Sequence, residues 1–445
     1  MAQERRQPGS RMSWVHCLVP VRPTEWPGLL AGFAFFFCLL CSYYILRPVR
    51  DEMGIRGGVD QLEWLFTATF VVMLAAVPLY GWLASRFQRT ALVPTLYAIF
   101  LICLAAFAAW LHAGFAPAWA ARSFFVWLSV FNLFVVSVFW SLMADVFDDD
   151  QALRLFAAIA AGGSLGAIAG PALTGILAER IGPVGLLAIA GAVLAATLPC
   201  MAVLLLWCRR HGSTDREGRD AALGGRVLDG LRAVAGSHYL QGVCCFIWLY
   251  TTLATFLYFA QATIVADTFG DSGSRTAAFA WIDLATNTLT VSLQLFVTAH
   301  LVRVLGLAAS LALVPAALVA GFLALAAAPV FAAIAAIQVL RRAGNYAVAR
   351  PGREMLFTPL ARDDKYKAKN VIDTVVYRGG DALAGWLYAG LSGLGLGVPG
   401  IALVAAPLAL VWSGVAAWLG RARNARLAAH TIMTSGSRYG GNRHA

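Results

Sequence analysis

Apolar runs long enough to cross a lipid bilayer follow one another along this whole chain, and that repetition constrains the fold more than any single motif. A helix in lipid must satisfy every backbone N–H and C=O internally. About 20 apolar residues span the hydrocarbon core. Twelve such runs are read at approximately 25–47, 61–84, 90–112, 121–146, 155–178, 183–208, 238–266, 277–300, 305–327, 329–349, 371–392 and 397–420. Composition agrees: the chain is 60% hydrophobic and only 13% charged, where a soluble domain carries about 25% charge. The expected fold class is an all-α polytopic membrane protein. The run from Trp26 to Leu46 is too long for a signal-peptide core, and no small-residue cleavage site follows, so it is read as a first helix that stays.

The net charge of +11 raises the question of a nucleic-acid partner, but the basic residues sit in short loops between apolar runs. An even number of spans puts both ends on one side. With that side taken as cytoplasmic, its segments hold 27 Lys and Arg. The opposite loops hold six: Arg47, Arg50, Arg56, Arg122, Arg180 and Arg275. This asymmetry places both termini inside and suits a bacterial cytoplasmic (inner) membrane. Cys38 and Cys41 form a C-x-x-C within the first run and read as small apolar residues, since a cytosol-type redox or metal role lacks its context. No cofactor and no metal site is expected.

The longest hydrophilic connection, RRHGSTDREGRDAALGGR at 209–226, divides the spans six and six. The expected domains are a first half (1–208), a linker (209–236), a second half (237–420) and a basic tail (421–445). This layout resembles major facilitator transporters, whose halves rock about a midplane site. The loop GWLASRFQRT (81–90) is similar to their loop signature at Gly81, Leu83, Arg86 and Arg89, with Ser85 and Gln88 departing from it. In the fifth run, Gly162, Gly166 and Gly170 form a small-residue stripe for close helix packing.

A charge at mid-bilayer costs roughly 2.5–3.5 kcal/mol on insertion scales, so polar groups within spans mark function or pairing. The first run closes on YYILRPVRDE. Tyr43, Arg47 and Asp51 share a face there, with Tyr44 and Arg50 beside them. Measured from Trp26, Arg47 lies roughly 32 Å along the helix, at the far membrane edge. Pro48 removes a backbone donor. Two readings stand: a gate for an anionic solute, or an interface anchor. In the eighth run, Asp283, Asn287, Thr290 and Gln294 make one polar stripe that lines a cavity or hydrogen-bonds neighbouring helices. In the eleventh, Asp373, Tyr377, Gly380 and Asp381 share a face, and Arg378 can pair with Asp381. This group serves a substrate path or is purely structural. Asn132 and Ser129 are weaker candidates in the fourth run.

At these residues the chain resembles the nucleotide (ATP/ADP) exchange transporters of intracellular bacteria and plastids, and their bacterial relatives. SYYILRPVRD supplies Tyr44, Leu46, Arg47 and Asp51 of their first-helix pattern, with Arg50 in place of a lysine. NYAVARPGREMLFTPLARDDKYKAKNVID keeps Tyr346, Pro351, Glu354, Met355, Pro359, Leu360, Lys367, Lys369 and Asp373 in register, and Phe139–Trp140 keeps a fourth-helix pair. The resemblance implies exchange of an anionic solute, ATP against ADP. It makes Arg47, Arg50, Lys367, Lys369 and Arg378 the partners of phosphates. Two features depart from the family: the fourth run lacks an early acid, and Asp381 stands where a cation is usual.

No phosphate-cradling G-x-x-x-x-G-K-[ST] is present, which excludes a primary pump of that type. Nor is there an H-E-x-x-H or a histidine in the middle of a span, so a membrane enzyme finds no support. The basic tail reads as an anchor near anionic lipid rather than a sensor element. The expectation is a secondary transporter whose partners are the bilayer and a small anionic solute, with no nucleic acid polymer and no obligate protein partner.

Overall fold

The computed structural model describes residues 21–86, 89–211, 234–360, 368–369 and 371–440. Among them the chain is helical throughout. The first four helices are α1 (Trp26–Arg56), α2 (Leu62–Arg86), α3 (Arg89–Ala113) and α4 (Pro117–Val146). The stretch Asp149–Ala195 breaks at Gly182, whose φ of 63° and extended ψ only a glycine adopts without strain. The break separates α5 (149–181) from α6 (183–211), which continues through Thr197–His211. Next come α7 (His238–Thr268) and α8, which starts as Ser272–Phe296 and runs on to a second glycine break at Gly306. After α9 (307–327), α10 joins Phe331–Gly344, a π turn at Asn345–Ala349 and Arg350–Leu356. A π turn at Ile372–Val376 opens α11, which continues as Tyr377–Gly393, and α12 is Val398–Gly440.

Eight stretches are long and apolar enough to cross a membrane, and one of them, Asp149–Arg210, contains both α5 and α6. The helices outside that set are α8, α10 and α11. They carry the polar stripe, a buried arginine pair and Asp381. Such helices are stable in lipid only when their polar faces turn inward, onto protein or water.

Two hydrophobic cores hold the bundle. One is drawn almost entirely from α1–α6, with Phe35, Leu39, Phe124 and Phe139 fully buried. The other is drawn mostly from α7–α12, with Leu253, Leu311 and Trp412 at its centre. In the first, the glycine stripe of α5 lies against α1. A Cβ at Gly162, Gly166 or Gly170 would come within 2.5, 2.3 and 2.6 Å of the carbonyl oxygens of Phe33, Phe37 and Cys41. Only glycine permits that approach, and dispersion contacts between the close backbones drive the pairing.

Three expectations change. First, α1 does not end at 47. It continues through Pro48 to Arg56, because the proline removes one intrahelical bond while tight packing on α5 and α4 keeps the helix whole. Second, α8 does not stop at 300 but runs to the Gly306 break. Third, α12 extends well beyond 420. Arg423 donates to the Met355 carbonyl at 2.9 Å, and Arg426 sits over the Tyr239 ring at 4.4 Å. These contacts tie the start of the basic tail to α10 and α7. The central connection between α6 and α7 lies outside the described residues from 212 to 233.

Candidate functional site

Depth follows from the corrected helix lengths. Arg47 lies nine residues before Arg56, Asp283 eleven after Ser272, and Arg342 eleven after Phe331. At the α-helical rise these are roughly 14, 16 and 16 Å from the same end of the bundle, close to half of a ~30 Å hydrocarbon core. Arg47 therefore lies inside the bundle, nine residues before the end of its helix, rather than at the helix end.

The three side chains meet. Arg342 Nη1 is 2.6 Å and Arg47 Nη1 is 3.5 Å from Asp283 Oδ1. Asp283 is 2% exposed and joins α1 of the first core to α8 and α10 of the second. Among the described residues its Oδ2 has no hydrogen-bond partner, and neither do Nε and Nη2 of Arg342. Next to them, Arg341 turns its Nε and Nη2 onto Gln338 Oε1, and Gln338 donates to the Leu257 carbonyl.

A cavity of about 920 Å³ opens beside this cluster. Tyr43, Tyr44, Arg47 and Arg50 line it from α1, and Ser129 and Asn132 from α4. Asn287, Thr290 and Gln294 line it from α8, Tyr346, Arg350 and Glu354 from α10, and Arg378 from α11. The lining reaches the last turn of α10, on the side of the bundle where α1 begins. On the opposite side, cross-core contacts close it. Tyr258 of α7 donates to Asp51 at 3.1 Å, Arg275 of α8 pairs with Glu52 at 3.4 Å, and Trp386 of α11 donates to Thr67 of α2 at 3.1 Å.

The α8 stripe serves both roles proposed for it. Asn287, Thr290 and Gln294 face the cavity, while Asn287 donates to the Ala167 carbonyl of α5 at 2.6 Å and Gln294 to the Tyr346 carbonyl at 3.3 Å. Asp51 is buried behind the cavity wall and pairs with Arg50 at 3.2 Å. Arg50 also stacks 3.9 Å from the Phe125 ring centroid. Glu354 accepts from Lys369 at 2.6 Å. Lys367 and the Asp373 side chain lie outside the described residues.

The α11 group is rearranged. Among the described residues Arg378 and Asp381 are not within salt-bridge distance, though the Arg378 charge still acts on Asp381, and the backbone does not carry positions 373 and 377 on one α-helical face. The π turn at Ile372–Val376 shifts the register between them. Arg378 then points into the cavity, whereas Tyr377 packs against Tyr250 and Asp381 sits by Thr255, both on α7.

Three participants escaped the sequence reading, Arg341, Arg342 and Arg350, and Tyr346 entered it only as a motif match. The arginine pair was counted among cytoplasmic charges because it falls near the end of a span. Its distance from Phe331 was the missed signal, since it is half a membrane rather than a whole one. Moving this pair, Arg47 and Arg50 into the bundle leaves the direction of the loop asymmetry unchanged.

Residues 28–349 match the Major Facilitator Superfamily. The chain belongs to that superfamily. It is an integral membrane transporter of the major facilitator type, and solved structures of such carriers share its fold. It is similar to the POT family transporter PepTSo, with a TM-score of 0.63 at 13% identity over 89% of this chain and 98% of that one. The nucleoside transporter NupG gives 0.58 at 13% identity, over 91% and 99%. A bacterial homologue of the iron transporter ferroportin, in its inward-facing state, gives 0.58 at 14% identity, over 88% and 98%. No curated protein matches the chain in sequence. At these identities the likeness is one of major facilitator fold alone.

Proposed function

We propose that this carrier moves an anionic solute by alternating access, as an exchanger in a bacterial inner membrane with both termini cytoplasmic. One observation carries the reading. Arg350 and Arg378 line the cavity with no carboxylate partner among the described residues, alongside Arg47 and Arg50, and the one acid among the lining residues, Glu354, is held by Lys369. Arg350 is exposed and Arg378 half-buried in this cavity, so their guanidinium groups are open to an entering anion, which they can hold by charge-assisted hydrogen bonds. Arg47 and Arg342 already share a single carboxylate oxygen, so an arriving anion competes with Asp283 for them. That competition loosens a link between the two cores, while Asp51–Tyr258 and Glu52–Arg275 hold the opposite side shut.

Nucleotides are the first solutes to test. The motif resemblance supports them, and so do Tyr43, Tyr44 and Tyr346, whose rings offer a base something to stack on next to phosphate-binding arginines. Proteoliposomes loaded with ADP and supplied with labelled ATP should show uptake that requires internal nucleotide and disappears in Arg47→Ala. No uptake, beside an active control exchanger, removes nucleotides. If small organic anions are then taken up in an Arg47-dependent manner, the anion reading stands. If neither class moves, it fails.

A further inference from the structure

A groove of about 700 Å³ runs between α2 and α4 on the outside of the bundle, away from the central cavity. Its hydrophilic residues stand together at one end. Gln61, Arg122 and Ser123 line it beside the turn from α1 to α2, at the closed end of the bundle. Beyond them the walls are apolar, ending at Val72 on α2 and Val130 on α4. No Asp or Glu is among the lining residues. Arg122 Nε donates to the Gly57 carbonyl at 2.8 Å, and its guanidinium lies over the Trp119 ring at 5.4 Å. This tether fixes the plane of the guanidinium. Among the described residues both of its Nη groups lack a hydrogen-bond partner and a carboxylate, and the Ser123 hydroxyl and Gln61 amide are equally unfilled.

We propose that this groove holds one anionic phospholipid from the leaflet at the closed end, with its phosphate on Arg122 and an acyl chain along the apolar walls. The length fits. Val72 lies ten residues after Leu62, and Val130 eight after Arg122. At the helical rise the groove therefore runs roughly 12–15 Å, about half of a ~30 Å hydrocarbon core and so the reach of one leaflet. The level fits as well. Trp64 and Trp119 flank the polar end, both are exposed, and each stands two residues into its helix. Exposed tryptophans at helix ends mark the membrane interface, which puts Arg122 at headgroup level and the valines at chain level. No water reaches that depth to fill an apolar hollow, so a lipid chain fills it. Charge selects the headgroup. A zwitterionic lipid brings its own ammonium to its phosphate, whereas a net-negative one leaves that phosphate for the two Nη groups. Trp64 also packs edge to face on Trp386 of α11 at 4.8 Å, so a chain seated against it supports the contact between the two cores at the closed end.

The test is native mass spectrometry of the delipidated full chain in detergent, titrated with dioleoylphosphatidylglycerol and, in parallel, with dioleoylphosphatidylcholine. One phosphatidylglycerol should be retained in preference to phosphatidylcholine. Its apparent Kd should rise about tenfold in Arg122→Gln, the equivalent of one charge-assisted hydrogen bond. Val126→Trp fills the groove without touching the charge and should weaken retention too. Glycerol 3-phosphate at the same concentration should not displace the lipid. Equal retention of the two lipids overturns the proposal, and so does unchanged retention in either variant. Displacement by glycerol 3-phosphate would make this a site for a free phosphate ester, and a dimer that retains no lipid would give the groove to a second copy of the chain. Either result overturns the lipid. If Arg122→Gln does not fold, Arg122→Lys replaces it. Lysine keeps the charge and loses the tethered fork, so weaker retention is expected and unchanged retention counts against the site.

Discussion

Arg342 Nη1 lies 2.6 Å from Asp283 Oδ1, an ion pair at mid-bilayer in which the carboxylate is 2% exposed and the guanidinium 9%. The two residues are far apart in sequence and meet because α8 and α10 turn their polar faces inward together. Asp283→Asn leaves Arg342 and Arg47 uncompensated and should cost about 3–5 kcal/mol, read as a lower thermal midpoint in detergent. Asp283→Asn combined with Arg342→Gln should recover part of that loss. Strictly additive effects in the double-mutant cycle would show that the pair is not coupled.

Arg350 and Arg378 of the cavity should set substrate affinity. Arg350→Ala and Arg378→Ala should each raise the apparent KM for the transported anion about tenfold, the equivalent of one charge-assisted hydrogen bond. Lysine at either position should restore only part of the affinity, because it loses the planar fork. Uptake kinetics at varied solute concentration check this, and an unaltered KM in both alanine variants would count against an anionic solute.

The α1–α5 contact should tolerate no side chain. Gly166→Ala places a methyl group 2.3 Å from the Phe37 carbonyl oxygen, and overpacking of this kind costs about 1–3 kcal/mol. Gly414→Ala is the control, since nothing lies within 4 Å of its added carbon. Thermal unfolding of the two variants side by side should show a loss for the first alone.

Closure at the far end of α1 should depend on Glu52 and Arg275. Glu52 is fully buried, its Oε2 has no hydrogen-bond partner among the described residues, and Arg275 is paired with its Oε1. Arg275→Gln removes that charge and should favour opening at this end. Hydrogen exchange should then speed up in residues 51–56 of α1 and 272–276 of α8, with little change near Phe36 on the opposite side. Unchanged exchange at both segments would show that the pair does not hold the closed state.

Much of the architecture was legible because lipid leaves few options. A backbone that cannot bond to water must fold into helices about 20 residues long, so the runs of apolar residues located the spans closely. The glycine period of four in α5 announced a close helix contact, and the i, i+4, i+7 stripe of α8 announced an inward face. These signals are local, each written in one helix.

The sequence by itself determined an all-helical membrane bundle, the inward polar stripe from Asp283 to Gln294 and the cationic character of its lining. Tertiary structure decided how deep each charge lies and which charge it meets. Arg47 lies inside the bundle only because packing carries α1 past Pro48, and Arg342 joined Asp283 only because α8 and α10 lie together. On α11 a single π turn sent Arg378 to the cavity and Asp381 to α7. Depth and pairing depend on where a helix ends and how it is rotated against its neighbours. Those quantities are set by contacts between distant segments, which no local pattern records.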